Sequence, residues 1–457
     1  MLKCTSPATG QVIERICSDD RRTVHRSYRR LRRGQPRWSS EGWHGRLDKI
    51  TAFGRLLGRQ AEGGRLFELL SREVGTPRQQ VRAELSTARR RVDEFVELGS
   101  TVLGDEVVRS RRAGREFLEH RPLGVVAHIS TWSFPCLVGV EAMVPALLAG
   151  NSVLYKPSEY ASLTGRALVE LMWEAGIPED VVDVVVGGGS VGDYVLDEAV
   201  SGVFFAGEYS TGQMIDQKLA GRMIPRRLEV GAKDGVYVCD DVDVAAVARD
   251  VADAAFYNSG RSRRSFDRVY VRDRIRRPFV DALCRRVESY DVGDPDRDAT
   301  FVGPVIGPRY LDELEYQIAD AVQKGGRLMT GGRVRGGQGC FFEPTIVADA
   351  DHRMLVMREE TRGPILAVEP VDDDAEAATR LQDSDYPLTA GIYTGDRDRA
   401  QDMLDGLDAV DVYWRGDLEE TDDEPGIRNQ PSGIWRPLCA EGIRHFTRPK
   451  SWAITPG

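Results

Sequence analysis

Val125-Val126-Ala127-His128-Ile129 and Asn151-Ser152-Val153-Leu154-Tyr155, separated by the apolar stretch Val138 to Ala149, set the reading of the whole chain. Short β-rich runs bounded by Gly, Pro and Asn read as buried strands, and the apolar stretch between them reads as a helix. A helix over Thr164 to Ala175 and strands at Asp183 to Val186 and Gly202 to Phe205 continue the alternation. Strand–helix alternation with short links predicts a mostly parallel, doubly wound sheet. A second cycle follows Glu229. It has strands at Val236 to Cys239, Val269 to Val271 and Ile365 to Val368, and helices at Val244 to Phe256, Phe279 to Val287 and Leu311 to Lys324. Two α/β layers in series imply two domains with a cleft between them.

Upstream, Leu47, Ile50, Phe53, Leu56, Leu57, Leu66, Leu69 and Leu70 recur at helical spacing and predict consecutive amphipathic helices up to Leu98. The basic segment Arg21 to Arg33 reads as a solvated helix face, because a net charge of −10 argues against a nucleic-acid surface. The seven cysteines are scattered, with no CxxC pair and no His cluster, so reduced thiols in a cytoplasm are expected and no metal site is. Val138 to Leu148 is interrupted by Glu141 and Pro145 and is too short to span a bilayer. The opening residues lack a hydrophobic signal core, so export is not expected.

Several motifs, in order, resemble the aldehyde dehydrogenase superfamily. Pro122-Leu123-Gly124-Val125 with Thr131-Trp132-Ser133-Phe134-Pro135 resembles P-x-G-V…P-W-N-F-P, and Lys156-Pro157-Ser158-Glu159 keeps the family form. Phe205-Ala206-Gly207-Glu208 with Gly212 resembles F-T-G-S-x-x-x-G, and Glu229-Val230-Gly231-Ala232-Lys233 resembles E-L-G-G-K. Glu359-Glu360-Thr361-Arg362-Gly363-Pro364 resembles E-E-x-F-G-P, and Ser432-Gly433 with Phe446-Thr447-Arg448-Pro449-Lys450 matches the close. The resemblance implies an aldehyde dehydrogenase-like α/β fold of two doubly wound parallel-sheet domains plus a small oligomerisation β-segment. Residues 1–105 and 122–229 would form a Rossmann-like NAD-binding domain and 230–430 a catalytic-type domain. Residues 106–121 and 431–457 would build the oligomerisation segment.

On the cofactor side the resemblance gives Lys156 and Glu159 the adenosine ribose, which favours NAD over NADP because a carboxylate repels a 2′-phosphate. Gly207, Glu208 and Gly212 would face the pyrophosphate and Glu360 the nicotinamide ribose. Glu208 stands where the family has Ser, and an anion about 4 Å from a pyrophosphate costs roughly 1–4 kcal/mol. Impaired NAD binding is the expectation.

The catalytic side departs further. Asn258, Gly260 and Arg268 fit the family's thiol-bearing segment, but Arg261 replaces its Gln and Arg263 its Cys, 34 residues beyond the expected base Glu229. A guanidinium cannot attack a carbonyl as a thiolate does. Ser133 stands in place of the oxyanion Asn, a loss worth a few kcal/mol of transition-state stabilisation. Three readings of Arg263 stay open: an ion pair with Glu229 that plugs the site, an anion pocket formed with Arg261 and Arg362, or a side chain reaching solvent. Cys136 is the nearest alternative thiol, with Ser262 and Ser265 as remoter nucleophiles and Cys239 read as packing.

The expected protein is a pseudoenzyme acting as a non-catalytic subunit, scaffold or ligand-binding protein. It would be a homo-oligomer (dimer or tetramer) or would pair with an active paralogue. The competing expectations are an oxidoreductase or esterase using Glu229 with an unusual nucleophile, and nucleic-acid binding through Arg21 to Arg33.

Overall fold

Val125–Ile129 and Ser152–Lys156 are buried along their whole length, as strands covered on both faces must be. In this computed structural model, residues 1–104, 106–111, 114–262, 265–384, 389–407, 409, 411–415 and 440–454 are described. The two strands belong to a five-stranded parallel sheet. Its order is Val182–Val184, Ser152–Lys156, Val125–Ile129, Gly202–Gly207, Arg226–Val230. The helix Pro135–Leu148 is apolar all round and almost wholly buried, as that pattern demands.

The second sheet has seven strands in the order Arg327–Thr330, Thr345–Ala348, Ile365–Val371, Arg268–Arg272, Gly235–Val238, Thr389–Tyr393, Asp411–Arg415. All neighbours run parallel except the outer Arg327–Thr330, which is antiparallel to Thr345–Ala348. The predicted helix Val244–Phe256 forms with those bounds, capped by the Asp243 side chain, which accepts from the N–H groups of Ala245 and Ala246. Sequence reading missed Arg226–Val230 because an edge strand can carry charges along its length, and this one is half-exposed.

A separate antiparallel sheet joins Thr447–Ile454, Gly114–Pro122 and Glu106–Arg111, so the tail does pair with the segment preceding the first central strand. The amphipathic run becomes helices Gly42–Gln60, Arg65–Leu69 and Arg78–Val102, burying Ile50, Phe53, Leu57, Leu66 and Phe95. The basic segment lies in helix Arg21–Ser40. Arg21 pairs with Asp197 at 2.7 Å, Arg30 with Asp183 at 2.7 Å and Arg37 with Asp180 at 2.8 Å.

Candidate functional site

The site is built around a strained turn. Helix Val244–Phe256 runs into Asn258 (φ 51°), Ser259 (φ 58°) and Gly260 (φ 64°), three consecutive left-handed residues. Such conformations cost roughly 1–2 kcal/mol at each non-glycine position, so neighbours must hold them. The Asn258 N–H donates to Gln80 Oε1 at 3.0 Å, and Ser259 Oγ donates to the Gly303 carbonyl at 3.1 Å. At position 260 a Cβ would lie 2.3 Å from the Gly363 carbonyl oxygen, so only glycine fits there.

That turn drives Arg261 inward, where it is 3% exposed. Its Nε donates to the Asn258 carbonyl (2.9 Å) and Nη1 to the Val74 carbonyl (2.5 Å). Nη2 donates to Thr76 Oγ1 (3.2 Å) and Asn258 Oδ1 (2.5 Å). Burial pulls the guanidinium down to about 9, and the nearby Glu84 carboxyl offsets part of that. Arg263 lies outside the described residues, so the Glu229–Arg263 pair falls there too. Glu229 is half-buried on strand Arg226–Val230 and opposite Ala206 in register. Of the three arginines proposed as an anion pocket, Arg261 is hydrogen-bonded as above, and Arg362 bonds Glu360 and approaches Glu313 at 3.7 Å.

Cys136 sits at the start of helix Pro135–Leu148 and is fully buried. Burial and the adjacent Glu84 push its thiol well up, so it stays protonated and a poor nucleophile. Cys239 is equally buried and is pushed up to about 12. Ser265 Oγ is spent on the carbonyls of Ala254 (3.2 Å) and Ala255 (2.6 Å), whereas Ser262 faces the cavity. No described cysteine lines that cavity.

The cavity, about 360 Å³, opens between the two large sheets and contains Ser133, Lys156, Glu159, Gly207, Glu208 and Glu360. These are most of the residues singled out from sequence. Lys156 is buried, its Nζ donating to the Pro157 carbonyl at 3.0 Å; desolvation pulls its ammonium down while Glu159, 3.9 Å away, pulls it back. Ser133 is buried, and its N–H meets Thr131 Oγ1 at 3.4 Å. Gly189 and Gly192 bring the N-terminus of helix Gly189–Asp197 to the wall, where bare N–H groups suit a nucleotide. Gly212 is not on the wall: a Cβ there would come 2.3 Å from Val230, so its absence lets helix Tyr209–Leu219 settle on strand Arg226–Val230.

Glu208 precedes helix Tyr209–Leu219 and looks across the cleft. It accepts a hydrogen bond from Tyr310 Oη at 3.0 Å and faces Arg309 at 3.5 Å. Arg309 also holds Glu313 at 2.8 Å, and Glu313 leads on to Arg362 and Glu360. An internal ionic chain therefore runs along the cavity wall from Glu208 to Glu360. The helix N-terminus at Gly189 and the Lys156–Glu159 pair suit a nucleotide, whereas the Glu208 carboxylate disfavours an anion beside it. Around the wall the charges pair off: Lys156 with Glu159, Lys218 with Asp193 (3.0 Å), Arg309 with Glu208, Arg362 with Glu360. Arg261 and Asp267 are left.

Arg309, Tyr310 and Asp267 went unnoticed in the sequence. The first two stand on an ordinary amphipathic helix, Pro308–Gln323, and Asp267 abuts a strand; only the long-range packing turns them toward the cleft. Behind the wall, Glu84 was also missed because a lone Glu in a helix gives no sign of burial.

With the geometry in hand, comparison with known proteins places the chain closely. Residues 1–452 match the model of the aldehyde dehydrogenase family. The chain is 29% identical over 467 residues to a betaine aldehyde dehydrogenase of Sinorhizobium fredii, covering 99% of this chain and 93% of that one. It is 31% identical over 418 residues to the lactaldehyde dehydrogenase of Escherichia coli, covering 89% and 85%. A solved structure of PnpE in complex with nicotinamide adenine dinucleotide superposes with a TM-score of 0.92 at 27% identity, over 99% of this chain and 94% of that chain.

Proposed function

The chain belongs to the aldehyde dehydrogenase family, and we propose that within it this protein does not oxidise aldehydes through a thiol but serves as a non-catalytic, ligand-binding member or subunit. The observation that carries this reading is the lining of the cavity, in which no described cysteine takes part. The sequence adds Arg263 at the thiol's expected position and Ser133 at the oxyanion donor's. A buried, protonated Cys136 supports the same conclusion. On the cofactor side, Glu208 and Glu360 are engaged by Tyr310, Arg309 and Arg362, which supports weak NAD binding. Lys156 and Glu159 would still suit an adenosine ribose.

For the domains we propose the partition 1–105 with 122–229, then 230–430, with 106–121 and 431–457 as the oligomerisation segment. Supporting that role, the three-stranded sheet presents Trp452, 46% exposed, with Lys450 4.1 Å from its ring centre and its indole N–H bonded to Glu119. An amphipathic indole left half in solvent suits a contact between subunits. Assembly as a homodimer or tetramer, or beside an active paralogue, and a cytoplasmic setting complete the proposal. No helix among the described residues is long and apolar enough to cross a membrane.

The test is reduced-cofactor absorbance with NAD and a panel of aldehydes that includes betaine aldehyde and lactaldehyde, for the unmodified protein and for Arg263→Cys. No turnover is expected in the first. Turnover there would overturn the reading and point to Glu229 acting with an unusual nucleophile.

A further inference from the structure

We propose that the cavity is a binding site for a small organic cation, with the Asp267 carboxylate as its counterion. This rests on the reading that the cavity is kept for binding. Asp267 is 7% exposed and lines the cavity immediately before strand Arg268–Arg272. Its backbone N–H donates to the Asp234 carbonyl at 3.1 Å. Its carboxylate accepts no hydrogen bond from the described residues and has no cation of theirs within 4.0 Å. Each of the other four carboxylates on the wall has its own cation, as paired above.

The cations behind Asp267 are committed elsewhere. Lys233 Nζ donates to Thr361 Oγ1 at 2.7 Å, and that hydroxyl passes the chain on to Gln317 Oε1 at 2.8 Å. Arg268 spends its Nε on the Lys233 carbonyl at 3.1 Å and Nη1 on the Asp383 carbonyl at 3.0 Å. An ionised carboxylate is an acceptor only, with about four lone-pair sites. Facing the cavity without a donor from the described residues, it offers those sites to an arriving ammonium. Burial and the charge of Glu360 push the Asp267 carboxyl up, while Lys233 and Arg268 draw it back at longer range. The other carboxylates of the wall are each matched by a cation and Arg261 has Glu84 behind it, so Asp267 is the acceptor left for a ligand carrying one positive charge rather than for a polyanion. A cavity of about 360 Å³ suits a molecule of modest size.

The experiment uses the full-length protein and isothermal titration with n-butylammonium, n-butanol and butyrate as isosteric probes. A fourth probe, 1-methylnicotinamide, distinguishes an aliphatic ammonium from a ring cation. Binding of at least one of the two cations is expected, with both uncharged and anionic probes silent. Asp267→Asn is expected to weaken that binding at least tenfold while raising the unfolding midpoint of the free protein, since a carboxylate whose ionised form burial disfavours is gone. Asp267→Ser guards against an amide that rearranges the pocket, and should also abolish binding. If neither cation binds at 10-fold molar excess over a millimolar threshold, or if Asp267→Asn lowers the midpoint and leaves binding unchanged, Asp267 is a structural counterion of Lys233 and the proposal fails. Aldehyde turnover would sink the non-catalytic reading while leaving this binding result intact.

Discussion

Replacing Glu84 by Gln should stabilise this protein, and by more at alkaline pH than near neutrality. Glu84 is 1% exposed; its Oε1 accepts from the N–H groups of Cys136 (2.9 Å) and Leu137 (3.2 Å), while Oε2 has no hydrogen-bond partner. Burial pushes its carboxyl from 4.5 up to about 7, although those two N–H groups and Arg261 pull against it. Between those two values the folded chain binds a proton that the unfolded chain has released. Stability therefore falls as pH rises through the window and stays low above it. At about 1.36 kcal/mol per pH unit, the shifted carboxyl costs about 2 kcal/mol at pH 6, where folding must take up a proton, about 3 kcal/mol at pH 8, where the buried group is ionised, and almost nothing below the lower limit. Gln keeps an acceptor for the helix N-terminus and carries no charge, so Glu84→Gln should gain about these amounts. The lost attraction to Arg261 is already contained in them. Urea unfolding followed by tryptophan fluorescence at both pH values, at one protein concentration because assembly adds stability by mass action, measures the difference. A variant less stable than its parent at pH 8, or a gain that does not grow from pH 6 to pH 8, would refute the reasoning.

Other substitutions probe the same architecture. Arg261→Met should lower stability by about 2–4 kcal/mol in the same assay, because the acceptors on Val74, Thr76 and Asn258 lose their donors, partly offset by removal of a buried charge; an unchanged midpoint would mean that the turn holds itself. Glu73→Ala should cost about 2 kcal/mol or more, since Glu73 accepts from the Leu163 and Thr164 N–H groups and the Thr164 hydroxyl at the start of a buried helix. Glu208→Ser, which removes the anion facing Tyr310 and Arg309, should tighten NAD binding about fivefold or more, given roughly 1–4 kcal/mol of repulsion; thermal-shift titration of both proteins decides it, and equal affinities would exonerate Glu208.

The sequence by itself determined the layers of this protein. Apolar runs at Val125 to Ile129 and Val153 to Tyr155 had nowhere to go but the middle of a parallel sheet, and the helix Val244–Phe256 formed on the expected residues because its Asp243 cap and apolar stripe are local signals. Lys156, Glu159, Glu208 and Glu360 were legible as well, since each lies inside a motif whose spacing survives in the chain. What tertiary structure alone decided is which charge meets which. Arg261 meets Val74 and Thr76, and Glu208 meets Tyr310, across roughly a hundred residues or more of chain, and nothing in either neighbourhood announces the partner. Asp267 is the clearest case: its type is ordinary, and its isolation on a wall of paired charges exists only once the two sheets face each other. Electrostatic partnership depends on distance and burial in the folded state, and neither is a property of adjacent residues.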